Sequence, residues 1–503
     1  MTSSRLLARN TVLNVVAQLF PMAAAVVAIP ILIRYLGAPR FGVLTLAWAM
    51  IGYFGLFDLG LGRALTQAVA ARLGDERRRG SLTEVSWTAL FLMLGLGAAG
   101  GLVVVGLTPW IVQRGLHVPA ALLEESLVSF YLLGISLPFV VTTAGLRGLM
   151  EAHQDFGLAT ALRIPLALFT FLAPLAALPF SVSLVPIVAI LVAGRVLAFA
   201  AHLIASVWRY DYLRGGIQLH RRVIGPLLRL GGWMTVSNVV SPLMAYLDRF
   251  FIGAILPLAA VAHYVTPFEV VSKLLILPTA MIAVFFPAFA SSFASDRRRT
   301  AQLFERSMRI VLLFIFPLLL AIVLFAHEGL ALWVGPEFAD VSAPVLRWLA
   351  VGIFLNSLAQ PPFAVLQGIG RPDLTAKLHL IELPIYIGAL WWLAHRFGIV
   401  GVAAAWTIRV ALDTTALVVL THRLIPAPES RLGATVAAAV GLLAALGVAA
   451  AAVGLAEKLA FLVIGVGAFA VLGWTRLVPA AERQSLLRWV RSSPPSMAPP
   501  AAG

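Results

Sequence analysis

The sequence predicts an all-α polytopic membrane protein with about fourteen transmembrane helices, and two observations carry that prediction. Of 503 residues, 61% are hydrophobic and only 12% charged, about half the charged fraction of an average soluble domain. The apolar residues come in solid blocks of roughly 20, each long enough to cross about 30 Å of hydrocarbon. Continuous blocks, as opposed to alternating ones, exclude a β-barrel, and with it go soluble enzymes. The longest outer gap between blocks, Thr108–Glu125, leaves no room for a folded domain outside the membrane.

The blocks place helices at 10–33, 41–62, 85–107, 126–149, 158–180, 184–207, 226–251, 258–287, 308–327, 343–368, 376–395, 399–421, 433–453 and 459–478. The first resembles a signal peptide, but its apolar run from Asn10 to Ile33 exceeds a signal h-region and belongs to the internal repeat below, so it is kept as a span. Residues 492–503, rich in Ser, Pro and Ala, have no apolar period and read as a disordered tail.

Charge sets the orientation. With the N-terminus cytoplasmic, 27 of the 37 Lys and Arg residues fall on the cytoplasmic side, including Arg77–Arg79, Arg221–Arg222 and Arg297–Arg299. Seven fall outside (Arg34, Arg40, Arg114, Arg249, Arg347, Arg396 and Lys458) and three lie mid-span. The positive-inside rule then puts both termini in the cytoplasm. It also accounts for the net charge of +15 through topology and attraction to anionic lipids, with no role for nucleic acid.

A weak repeat runs through the chain. Asn14-Val15-Val16 matches Asn238-Val239-Val240 at an offset of 224, Arg77–Arg79 matches Arg297–Arg299 at 220, Leu146-Arg147-Gly148 matches Leu366-Gln367-Gly368 at 220, and Asp155 answers Asp373 at 218. Shared offsets point to a duplicated six-helix unit. Six is even, so the repeat is parallel, with a pseudo-two-fold axis along the membrane normal. The domains expected are a first lobe at 1–215, a second at 216–425, two extra helices within 426–480 and a cytoplasmic tail at 481–503.

Chemistry is largely excluded. The chain has no cysteine, no HExxH and no lysine following a glycine, which removes thiol chemistry, a zincin site and a Walker A loop. Neither a metal nor a cofactor is expected. Gly95-Leu96-Gly97-Ala98-Ala99-Gly100 looks like a dinucleotide fingerprint, but it lies inside an apolar span and reads as close helix packing.

Several residues carry a family resemblance: Asn14, Arg34-Tyr35-Leu36-Gly37, Arg40-Phe41-Gly42, Phe57-Asp58-Leu59-Gly60-Leu61-Gly62-Arg63, Gly145-Leu146-Arg147-Gly148 leading to Gln154, and Leu247-Asp248-Arg249. With two six-helix lobes and two extra helices, they make the chain resemble the multidrug/oligosaccharidyl-lipid/polysaccharide exporter superfamily. Within it, the resemblance is to polysaccharide biosynthesis proteins of the O-antigen flippase type. It implies alternating access, a polyprenyl-pyrophosphate-linked oligosaccharide as substrate, contact with polysaccharide polymerase machinery, and residence in the bacterial cytoplasmic membrane. A lipid II flippase or a cation-coupled multidrug exporter of the same superfamily is the alternative.

An ionisable residue in mid-bilayer needs a partner, a cavity or a function. Five cations are candidates for holding an anionic headgroup: Arg195, Lys273, Arg409, Arg249 and Arg163. Guanidinium forks suit pyrophosphate oxygens. Arg195 has no acidic neighbour at helical spacing, whereas Arg163 is near enough to the cytoplasmic surface to snorkel. Asp58, Asp248, Glu269, Glu382 and Asp413 are candidates for coupling or ion pairing. Glu269–Lys273 and Arg409–Asp413 have i, i+4 spacing, and His379 and Glu382 share a helix face. Asn14 with Pro21, and Asn238 with Pro242, occupy the first helix of each half and are hinge candidates, since proline deletes a helical hydrogen bond. Trp233, Tyr246 and Tyr264 are candidates for stacking on sugars, while Trp391 and Trp392 read as interfacial anchors.

The orientation is open to direct test in this cysteine-free chain. A Gly115→Cys variant should react with an impermeant maleimide in intact cells, and Arg77→Cys or Arg298→Cys should not. The opposite pattern overturns the topology.

Overall fold

Proline and glycine decide where these helices bend or stop. The computed structural model describes residues 4–53, 60–73, 76–426, 432–452, 454–477 and 483, and among them there is no β-strand. The helices are α1 (Ser4–Tyr53), α2 (Leu61–Leu73), α3 (Leu82–Trp110), α4 (Leu123–Ala152), α5 (Phe156–Ala177), α6 (Leu184–Arg209), α7 (Arg221–Ile255), α8 (Ala259–Ser272), α9 (Ile276–Ser295), α10 (Arg297–Leu324), α11 (Ala326–Val334), α12 (Pro336–Gly368), α13 (Pro372–Leu424), α14 (Leu432–Ala449) and α15 (Leu455–Leu472).

Eleven helical segments among the described residues are long and apolar enough to cross a membrane. The difference from fourteen has local causes. The first two expected spans run together in α1, broken only at Gly37, where φ is +73°. The eleventh and twelfth run together in α13, broken at Gly398, where φ is +59°. A side chain at Gly401 would overlap the Leu393 carbonyl, so the backbone doubles back at that break. Only glycine enters this left-handed region without steric cost. In α7, side chains at 229–243 lie outside the described residues, and this helix is not among the eleven.

The expected span 258–287 is divided by a 3₁₀ turn at Lys273–Leu275. Pro278 explains the position, since its ring clashes with the carbonyl four residues earlier and it has no N–H to donate. By contrast, α1 stays helical through Pro21 and Pro30, and α7 through Pro242. Two helices were not foreseen: α2, in the arginine-rich loop, and α11, in the loop before α12.

The chain forms two compact units. The first comprises Met1–Lys273, Leu330–Leu346 and Ala376–Arg409; the second comprises Leu274–Gly329, Arg347–Thr375 and Val410–Gly503. In the first unit, α4 packs against α3 and α6, and α1 packs against α5 and α8. From the glycine string of α3, Gly97 meets α4, with Gly101 just beyond the string, while Gly95 has open space around it. A Cβ on Gly97 would stand 2.6 Å from Pro138 Cα, and one on Gly101 would stand 2.6 Å from the Gly134 carbonyl oxygen. Small residues four apart let backbones approach where no hydrophobic effect drives helices together. Glu125 at the start of α4 ties three helices, pairing with Arg40 at 3.1 Å and accepting the Leu184 N–H at 3.1 Å.

Past α6 the chain is fastened back onto the first unit. Tyr210 donates to Asp155 at 3.0 Å, Arg209 pairs with Asp155 at 3.3 Å, and the His153 ring stacks on Tyr210 at 3.9 Å. Burial, reinforced by the bond to Asp155, pushes the Tyr210 hydroxyl well above its ordinary pKa. In the second unit α10 packs against α9, α14 and α15. The buried Lys458 of α15 reaches Glu328 at 2.6 Å, and this hydrogen bond holds the Glu328 carboxyl below its usual pKa.

The α3–α4 contact yields a stability test. Gly101→Leu should destabilise the protein by about 1–3 kcal/mol through overpacking, read as a lower midpoint of thermal unfolding in detergent. Gly106→Leu, which has open space around it, is the control. Equal midpoints for the two variants would show that α3 and α4 do not depend on this approach.

Candidate functional site

One cluster of charged residues in the first unit lies on α7, α8 and α13. Asp248 and Arg249 are consecutive in α7 and both are buried. Asp248 accepts the Tyr264 hydroxyl at 2.5 Å and the Arg249 backbone N–H at 2.8 Å. Tyr264 sits on α8 and has no exposed surface. Arg249 Nη2 donates to Glu269 Oε1 at 2.9 Å, and Lys273 Nζ donates to Glu269 Oε2 at 3.1 Å.

One carboxylate therefore holds two cations. The i, i+4 pair Glu269–Lys273 expected from the sequence is present, but its stronger member was not foreseen. Arg249 comes from another helix, 20 residues away, and is far more buried than Lys273, at 4% against 42% side-chain exposure. Buried ion pairs rely on such added hydrogen bonds, because desolvation otherwise offsets their attraction.

Aromatic rings surround these charges. The Arg249 guanidinium carbon lies 4.8 Å from the centroid of Tyr246 and 5.4 Å from that of Phe268. Phe268 meets Trp406 edge to face at 5.6 Å. Ring faces attract a guanidinium most strongly where it is desolvated.

Arg409 lies 5.6 Å from the Tyr386 centroid and 3.9 Å from Glu382. The fold at Gly398 brings these two parts of α13 side by side, so Arg409 meets a carboxylate that no helical spacing could reveal. Asp413 is buried and belongs to the second unit.

Arg195 stands apart from this cluster. It projects between α5 and α6 and donates to Thr170 Oγ1 at 3.1 Å; among the described residues it forms no ion pair. The neighbouring Gly194 allows the approach, because a Cβ there would overlap the Phe169 ring. Arg163 is on an exposed face of α5.

Of the remaining candidates, Asp58 lies outside the described residues, as do the side chains of Asn14, Trp233, Asn238 and Pro242. His379 is half-buried on α13. Trp391 and Trp392 are exposed at 57% and 55%.

An apolar cavity of about 590 Å³ opens beside the charged turn of α7. Leu247, Phe250 and Phe251 line it from α7, with Trp110, Phe130 and Trp391 contributed by α3, α4 and α13. Sequence reading missed it, because its walls come from segments that each look like ordinary span. The first unit therefore holds a charged, aromatic core and an apolar recess on one helix, together with a separate cation at Arg195.

Residues 7–293 match the family model described as "Polysaccharide biosynthesis protein". A Shigella flexneri protein named for O-antigen transport is 29% identical over 418 residues, covering 81% of this chain and 96% of its own. The lipopolysaccharide biosynthesis protein WzxC of Escherichia coli K12 is 22% identical over 407 residues, covering 80% and 78%. Among solved structures, the lipid II flippase MurJ in an inward closed conformation is 13% identical with a TM-score of 0.70, covering 95% of this chain and 100% of its own. At that identity the likeness concerns the fold. The family match spans more than half of the chain and includes the charged turns of α7 and α8; the chain belongs to the polysaccharide biosynthesis protein family.

Proposed function

We propose that this protein is a flippase that carries polyprenyl-pyrophosphate-linked oligosaccharide from the cytoplasmic to the outer leaflet of the bacterial cytoplasmic membrane, supplying surface polysaccharide synthesis. Two six-helix lobes, 1–215 and 216–425, alternate access to a central site, and transport involves no chemical step. The relatives named for O-antigen transport and lipopolysaccharide biosynthesis support this reading. Duplication of the lobes is supported by matching ends of α4 and α12. Asp155 N–H bonds the Met150 carbonyl at 2.9 Å, and Arg371 N–H bonds that of Leu366 at 2.9 Å, in each case just past a residue with positive φ, Gln154 or Gly370.

Arg195 carries the assignment of an anionic substrate. A guanidinium inside a membrane span, held only by a threonine hydroxyl among the described residues, has donors left over for a diphosphate. Such a cation also disfavours the cationic drugs of multidrug exporters. Arg249, Lys273 and Arg409 form the second part of the site, where Tyr246 and Trp406 offer ring faces to sugars. The apolar cavity beside α7 suits the lipid portion. Two phosphate charges moving outward from a negative interior gain roughly 4.6 kcal/mol at 100 mV, so the membrane potential favours export.

Export of surface polysaccharide by a flippase-deficient bacterium is the test. The wild-type chain should restore it. Arg195→Ala should reduce it at least tenfold at normal membrane abundance, and Arg195→Lys should recover part of it, keeping charge but losing the bidentate fork. Full export by Arg195→Ala removes that residue from the site. Rescue of a lipid II flippase-depleted strain, with no rescue of polysaccharide export, replaces the proposed substrate with lipid II.

A further inference from the structure

The segment 330–346 belongs to the first unit although its sequence neighbours on both sides belong to the second. Its placement comes from two polar contacts, each on a different helix. Trp333 Nε1 donates to the Val26 carbonyl of α1 at 2.7 Å. His263 Nδ1 of α8 lies 3.1 Å from Ser342 Oγ, with the His263 ring 4.2 Å from that of Phe338.

The Trp333 contact has a cause in the sequence of α1. A helical carbonyl is normally satisfied by the N–H four residues later, and four residues after Val26 stands Pro30, which has none. Val26 is therefore left with an acceptor that its own helix does not fill. An unfilled carbonyl at membrane depth is costly, and the indole of Trp333 fills it. The contact is exposed, so it can part without opening the core.

A glycine breaks the segment between its two helices. Gly335, between α11 and α12, has φ +102° and open space around it. The part of α1 beyond Gly37 lies against the start of α8, where a side chain at Gly42 would overlap the Leu258 carbonyl; Val26 is on the part before Gly37. By the charge count of the loops, the Gly42–Leu258 contact faces outward.

We propose that residues 330–346 form a strap that ties the first part of α1, at Val26, to α8, at His263, with the Trp333–Val26 hydrogen bond as its releasable catch, and that release accompanies each transport cycle. The catch is specified by Pro30 as much as by Trp333. Its part in transport rests on the flippase reading above; the strap itself does not.

Cysteine accessibility tests the strap without any substrate. Ala339 is fully buried on it, so an Ala339→Cys reporter in this cysteine-free chain should react slowly with maleimide in isolated membranes. Adding Trp333→Phe, which keeps the ring and deletes the donor, should speed labelling roughly fivefold, the shift that one net hydrogen bond carries in an opening equilibrium. Pro30→Ala should do the same from the other side, because the new N–H reclaims the Val26 carbonyl. The two together should label no faster than either alone, since both remove one bond.

Unchanged labelling in both variants, or rates that multiply in the double variant, would overturn the catch. Two substitutions at separate sites keep the test decisive if one misfolds. Labelling as expected with wild-type export in Trp333→Phe would sever the strap from the cycle. Labelling as expected in a protein that rescues no polysaccharide export would sink the flippase reading and leave the strap standing.

Discussion

Hydrocarbon supplies no hydrogen bonds, so every main-chain carbonyl and every charge inside the membrane must find its partner within the protein. This constraint organises the molecule from its helix breaks to its charged core. Where proline removes a donor, the structure responds locally: a 3₁₀ turn at Lys273–Leu275 precedes Pro278, and the Trp333 indole takes the carbonyl freed by Pro30. Breaks in the helices are left to Gly37 and Gly398, whose positive φ other residues adopt only with strain.

The same constraint explains how the charges are arranged. Asp248 would be prohibitive alone in its dry position; it is held by the Tyr264 hydroxyl and a backbone N–H, beside a guanidinium. Arg249 in turn shares Glu269 with Lys273 and lies against two aromatic rings. Disturbing one member of such a network leaves others buried and unpaired. Arg195, by contrast, is held by a single threonine hydroxyl.

Close backbone approach is the other consequence of a solvent that does not drive helices together. Gly97 and Gly101 against α4, Gly42 against the start of α8, and Gly194 against Phe169 place neighbours at distances no side chain would permit. These contacts set which helices lie side by side, and through them which polar groups can meet.

Composition and apolar block length alone determined the membrane class and the helical character, because a span must be long, apolar and internally hydrogen-bonded whatever surrounds it. Residue spacing sufficed for Glu269–Lys273, since i, i+4 neighbours meet on any helix, and for the close packing at Gly97 of the α3 glycine string. Breaks at Gly37 and Gly398 were legible as gaps between apolar blocks. Tertiary structure decided the rest. Arg249 reaches Glu269 from another helix, Arg409 reaches Glu382 only because α13 doubles back, and Trp333 finds Val26 across three hundred residues of sequence. The cavity beside α7 has walls from five helices, each of which reads as ordinary span. Periodicity along a chain reports the faces of one helix; which faces of different helices meet is set by their packing.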